Sequence, residues 1–121
     1  MNRFYETPFF DLAIYNRFKH GGTIAAEIEP SLNLYRKWIA IYSSRSSSAR
    51  LDIPPHLYSI LEFELEKAKI EEYLLDFDLI MHNEKRYFVN SETELIDKLL
   101  DLRIDLKVFT YPWRCDYPLG Q

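Results

Sequence analysis

A chain of 121 residues and 14.5 kDa has room for one hydrophobic core, so a single domain over residues 1–121 is expected. Its one cysteine, Cys115, excludes an intrachain disulfide and with it a disulfide-built scaffold. Net charge is −4 but unevenly placed: residues 1–60 carry 7 Lys+Arg against 5 Asp+Glu and residues 61–121 carry 8 against 14, which disfavours nucleic acid as a partner and favours a basic protein.

The first ten residues, "MNRFYETPFF", hold no long apolar stretch, and no segment approaches the roughly 18 consecutive apolar residues of a membrane span. A cytoplasmic protein without membrane association is therefore expected. Aromatic residues make up 16% of the chain, enough to serve both a core and a partner surface.

"ETPFFDLAIYNRFKHGG" fits a helix with Thr7 as N-cap and Pro8 at its first position. Phe10, Ala13, Ile14 and Phe18 would form its apolar stripe, and Gly21 its stop. The competing pattern is a hairpin of residues 9–18 with 23–29 across His20-Gly21-Gly22. Residues 23–29 and 34–42 read as strands punctuated by Pro30, with Ile39 and Ile41 on one face and Trp38 and Tyr42 on the other. A helix from Ser31 with Leu32, Tyr35, Ile39 and Tyr42 as its stripe is the alternative.

The serine-rich stretch "SSRSSSAR" follows. It has too few cations and no glycine for a phosphate nest, and reads as an exposed connection at the rim of an interface. In "LDIPPHLYSILEFELEKAKIEEYLLDF" the Pro54-Pro55 pair suits a helix start. Leu57, Ile60, Leu61, Leu65 and Ala68 fall at helical spacing, although "LEFELE" also alternates like a strand; about eighteen residues without a turn signal favour the helix.

"DFDLIMHNEKRYFVN" reads as a hairpin, Phe77, Leu79 and Met81 pointing inward, His82-Asn83-Glu84 turning and Tyr87 to Val89 returning. "NSETELIDKLLDLRI" carries a capping box, Ser91 to the amide of Glu94 and the Glu94 side chain back to the amide of Ser91, ahead of a stripe of Leu95, Ile96, Leu99 and Leu102. "IDLKVFTYPW" alternates as a final strand, with Ile104, Leu106 and Val108 on one side, until Pro112. The sum is an α+β domain: a mixed or antiparallel sheet of about five strands packed with about three helices.

Chemistry-bearing residues are sparse. His20, His56 and His82 sit at predicted helix edges or turns, and Cys115 has Arg114 and Asp116 pulling its thiol in opposite directions. No Cys or His pair has metal-ligand spacing and no glycine loop cradles a phosphate, so no catalytic, metal or cofactor site is assigned and no cofactor is expected. Carboxylate density stands out instead: seven acids from residue 62 to 78, including Glu62, Glu66, Glu71, Glu72, Asp76 and Asp78, against Lys67 and Lys69. A solvated helix face explains such a run, and so does a surface that steers a basic partner. In "TYPWRCDYPLGQ", Tyr111, Trp113, Arg114 and Tyr117 between two prolines are the residue types of interface hot spots; alternatively Trp113 folds back over the sheet edge.

The acidic stretch "EFELEKAKIEEYLLDFD" and the unit "KRYFVNSETELIDKLLDLRIDLKVFTYPW" together resemble the immunity proteins of bacterial toxin systems, in particular those of contact-dependent growth inhibition. The resemblance implies a non-enzymatic monomer that binds and neutralises one cognate toxin domain, often a basic nuclease. The partner-binding residues expected are Glu62, Glu66, Glu71, Glu72, Asp76, Asp78, Tyr111 and Trp113. Rival readings are a regulatory or scaffold module self-associating through exposed aromatics and an enzyme using Cys115 or a histidine, with a nucleic-acid binder last.

Overall fold

The computed structural model describes residues 10–43, 57–72 and 81–119. Among these, four antiparallel strands form a meander in chain order: β1 (Ile24–Ile28), β2 (Tyr35–Ser43), β3 (Tyr58–Glu66) and β4 (His82–Val89). Three helices accompany them, α1 (Leu12–Lys19), α2 (Lys67–Glu72) and α3 (Glu92–Asp101). The fold is α+β, with four strands among the described residues where about five were expected for the chain.

Strand pairing sorts the side chains into two faces. Ile24, Ile41 and Ile60 stand in one cross-strand row and Ala26 and Ile39 in the next, and this aliphatic face packs under Ile14 and Phe18 of α1 and Leu95 and Leu99 of α3. The opposite face carries Ala25, Trp38, Ala40, Leu61, Phe63 and Leu65. It is covered by the C-terminal segment, where Tyr117 is buried and Cys115 and Leu119 pack alongside. The expected split of Ile39 and Ile41 from Trp38 and Tyr42 is what the register gives, so the alternative helix from Ser31 does not form.

α1 buries Ile14 and Phe18 one turn apart, with Phe10 just ahead of it. Ala13 is exposed rather than in the stripe, and the helix begins after Asp11; Thr7 and Pro8 lie outside the described residues. Gly21 adopts φ 88°, a left-handed conformation that glycine takes without strain, and ends the helix. The hairpin alternative fails because residues 12–19 are helical, and β1 pairs with β2 instead.

The largest correction concerns residues 57–69. The apolar positions expected on one helical face belong to a strand in the middle of the sheet, hydrogen-bonded to β2 on one side and β4 on the other. Leu61, Phe63 and Leu65 face the aromatic side, Ile60 the aliphatic side, and Leu57 and Ala68 are exposed. The alternation in "LEFELE" was the governing period; the helix that follows is α2, six residues long. Pro54, Pro55 and His56 lie outside the described residues.

His82-Asn83-Glu84 does not turn. It opens β4, where Asn83 has φ 53° and the pairing slips between Glu62 and Glu64, a β-bulge. Phe77 and Leu79 lie outside the described residues.

α3 forms as its capping box requires: the Glu94 amide donates to Ser91 Oγ at 3.0 Å, while the Glu94 carboxylate accepts from the Asn90 amide at 2.8 Å, one residue earlier than expected. The last expected strand is instead two 3-10 turns, Leu106–Val108 and Pro112–Arg114, joined through a single bridge between Ala25 and Thr110. Leu106 and Phe109 are buried at a spacing of one 3-10 turn, while Val108 is 43% exposed.

Candidate functional site

Two sets of residues with partner-binding chemistry emerge. The first is carboxylate. Glu62, Glu64 and Glu66 are alternate residues of β3 and so share the aliphatic side of the sheet. Glu64 is fully buried beneath the β1–β2 connection, accepting from the Ser31 amide at 2.5 Å, from Ser31 Oγ at 2.8 Å and from the Asn83 side-chain amide. Burial works to raise its pKa. The Ser31 and Asn83 hydrogen bonds, with Lys37 nearby, outweigh that and hold the carboxyl below its ordinary value.

Glu62 is also buried, its side chain 8% exposed, with Lys37 Nζ at 3.8 Å. Glu66 is half-exposed and faces His82 Nε2 at 3.3 Å, and the His82 ring lies against Tyr35 with centroids 5.1 Å apart. Glu71 and Glu72 close α2, while Asp76 and Asp78 lie outside the described residues. Over residues 62–72 the expected single acidic helix face is thus replaced by a strand, with two of its carboxylates inside the fold, followed by a short helix.

The second set is aromatic and cationic. Tyr111 and Trp113 stack with centroids 5.0 Å apart and planes within 10°. The Arg17 guanidinium lies 5.0 Å from the Trp113 ring and 5.7 Å from the Tyr111 ring, and Arg114 lies 5.5 Å from Tyr111. Arg17 is fixed in place, since its Nε donates to the Thr23 carbonyl at 2.7 Å. Gly22 makes that path available: a Cβ there would stand 2.6 Å from Arg17 Cγ. Beneath the stack, Ala25 and Thr110 exchange backbone hydrogen bonds of 3.0 and 2.8 Å. Trp113 nevertheless remains 54% exposed rather than folded over the sheet edge.

The candidate nucleophile is placed otherwise. Cys115 is half-buried and its Sγ donates to the Pro112 carbonyl at 3.5 Å; its own carbonyl accepts from Trp38 Nε1 at 2.8 Å. Burial pushes its thiol pKa up, Glu27 and Asp116 add to this, and a backbone hydrogen bond near Tyr117 opposes it. His20 is exposed with Nδ1 2.7 Å from the Asn16 carbonyl, and His82 is engaged with Glu66. Among the described residues no group of three or more His, Cys, Asp or Glu side chains is placed to hold a metal ion, and no helix is long and apolar enough to cross a membrane.

Sequence reasoning missed Arg17, Lys37, Ser31 and Asn83. Only Arg17 had a local signal, the glycine pair that lets its side chain double back; the others act across the sheet. Comparison with protein-family models, with curated proteins and with solved structures gives no match.

Proposed function

We propose that the protein is a non-enzymatic inhibitor that binds and neutralises a cognate toxin domain, as the immunity proteins it resembles do. The observation that supports this best is the Tyr111–Trp113 stack with Arg17 over it: an exposed aromatic surface already ordered by hydrogen bonds, so little conformational freedom is lost on docking. Acidic charge on the same domain supports a basic partner. Glu94, Asp97 and Asp101 are exposed along α3, and Glu66, Glu71, Glu72, Asp76 and Asp78 remain proposed partner-binding residues on the strength of their charge. The reading carries with it a cytoplasmic, monomeric protein without a cofactor.

The test is co-expression with the toxin domain encoded by the neighbouring gene, a nuclease on charge grounds. Cells should survive with this protein and lose protection with Trp113→Ala; equal killing with and without the protein refutes the proposal. Exposure of Trp113 also supports a second reading, self-association through the same surface. Light scattering at micromolar concentration separates the two, because a strict monomer leaves only the first.

A further inference from the structure

The surface around Trp113 has the opposite charge to the protein that carries it. The chain as a whole is −4, yet the stacked rings of Tyr111 and Trp113 are flanked by Arg17 and Arg114, whose guanidinium groups lie 5.7 and 5.5 Å from the same Tyr111 ring. Among the described residues neither guanidinium has a carboxylate partner, because the acids adjoining these elements in the chain are taken up by other groups. Asp11, ahead of α1, faces Lys107 at 3.6 Å; Glu92, at the start of α3, holds Lys19 at 3.2 Å and the Tyr15 hydroxyl; Asp116, two residues beyond Arg114, reaches Arg36 at 3.4 Å. Arg17 is also fixed as few surface arginines are. Its Nε is spent on the Thr23 carbonyl, Gly22 leaves room for its bend, and the group lies over Trp113 at 5.0 Å. Contact with a ring engages the face of a guanidinium, whereas hydrogen bonds are made at its edge, so the outer nitrogens of Arg17 keep their donors beside an exposed indole.

We infer that this platform receives a glutamate side chain of the protein partner, its carboxylate accepting from the outer nitrogens of Arg17 within the field of Arg114 and its methylene stem lying on Trp113. A carboxylate suits the place because a guanidinium held in one orientation meets it with paired, charge-assisted hydrogen bonds and little ordering left to do. The stem covers apolar surface that is otherwise open to water, as interface anchors do. A phosphate backbone fits less well: it needs many cations for useful affinity, and Glu94, Asp97 and Asp101 exposed on α3 repel it. The partner is accordingly of mixed sign, basic where it meets the acids and acidic where it meets the stack. The assignment rests on the protein-binding reading above and names what that partner presents at Trp113.

The experiment is an NMR titration of the full chain with the end-blocked peptide Gly-Leu-Glu-Gly, the same peptide with glutamine or lysine in place of glutamate, and a thymidine tetranucleotide. The chain has two tryptophans, so two indole N–H signals report: Trp113 on the platform, and Trp38, bonded to the Cys115 carbonyl, as an internal check on folding. The glutamate peptide should move the Trp113 signal and saturate on the order of millimolar, as a single side chain allows, while the Trp38 signal stays in place. Glutamine should bind roughly tenfold more weakly and the lysine peptide should give no saturable shift. Arg17→Gln should weaken the glutamate peptide by about tenfold, and Arg114→Gln, a change at an exposed position that spares the fold if the first does not, by about threefold. Equal binding of the glutamine or lysine peptide, unchanged affinity in folded Arg17→Gln or in Arg114→Gln, or no saturable shift at Trp113 overturns the inference. Tetranucleotide binding about tenfold tighter than the glutamate peptide overturns the partner assignment in favour of a nucleic acid. Glutamate-peptide binding together with failure to neutralise the toxin leaves the carboxylate assignment standing and removes the inhibitor reading alone; neutralisation without peptide binding does the reverse.

Discussion

On one side of the sheet, Ile24, Ile39, Ile41 and Ile60 lie under two helices; on the other, Trp38, Leu61 and Phe63 lie under a C-terminal segment that, among the described residues, is regular only in short 3-10 turns. The helical cover is held by aliphatic packing spread over many residues, and its ends are closed locally, as by Ser91. The irregular cover is pinned at a few points: Trp38 Nε1 to the Cys115 carbonyl, Tyr42 to Tyr117, and Arg36 reaching Asp116 at 3.4 Å from its closer pair with Glu27. Both phenols, Tyr42 and Tyr117, have their pKa raised chiefly by burial, so the pair stays neutral and serves as an anchor. Distributed packing tolerates the loss of any one polar contact, whereas a pinned segment concentrates its dependence on a few side chains.

The largest effects should separate the two covers. Trp38→Ala and Leu99→Ala should each cost about 3–5 kcal/mol in urea unfolding. Only the first should also release the C-terminal segment, read as early proteolysis after residue 110 in protein that is still folded; equal protease resistance in both would erase the distinction.

Glu64 comes next. Its folded-state pKa is lowered, so its contribution is fully present above the ordinary carboxyl pKa and is lost as pH falls through the folded value. Glu64→Gln should cost about 1–3 kcal/mol near neutral pH, and its stability should vary less than the parent's between about pH 7 and pH 3. A parallel pair of pH profiles would show that the Ser31 and Asn83 bonds do not favour the charged form.

Smaller again, Ser91→Ala and Tyr117→Phe should each cost about 1 kcal/mol. Hydrogen exchange would then quicken at the start of α3 in the former and across residues 111–119 in the latter. Trp113→Ala should change stability least, by about 1 kcal/mol or less, while weakening partner binding by more than about 2 kcal/mol.

What was legible in the sequence was what depends on near neighbours. Ser91 and Glu94 are three residues apart, and the β1 and β2 residues declare their faces by alternation, so both were readable. β3 was misread because its glutamates look like the solvent side of a helix. Their burial is made acceptable by Ser31, 33 residues away, by Asn83, 19 residues away, and by Lys37 on the adjacent strand, none of which a local pattern can announce. The stretch from Ile104 to Pro112 alternates on paper, yet Leu106 and Phe109 are buried at a spacing of three because only a brief bridge to β1 draws it toward the sheet. For the candidate site, Tyr111 and Trp113 were visible as residue types, but Arg17, which completes their stack, required the fold to bring it there.

The meander joins each strand to its neighbour in the chain, so the sheet can assemble by successive short closures. The Trp38–Cys115 hydrogen bond, by contrast, spans 77 residues. In kinetic terms the C-terminal strap should dock late, after the rate-limiting barrier for the sheet has been crossed. Weakening its anchors would then leave the refolding rate nearly unchanged and appear as faster unfolding, making the strap the part of the molecule that governs how long, rather than how readily, the native state persists.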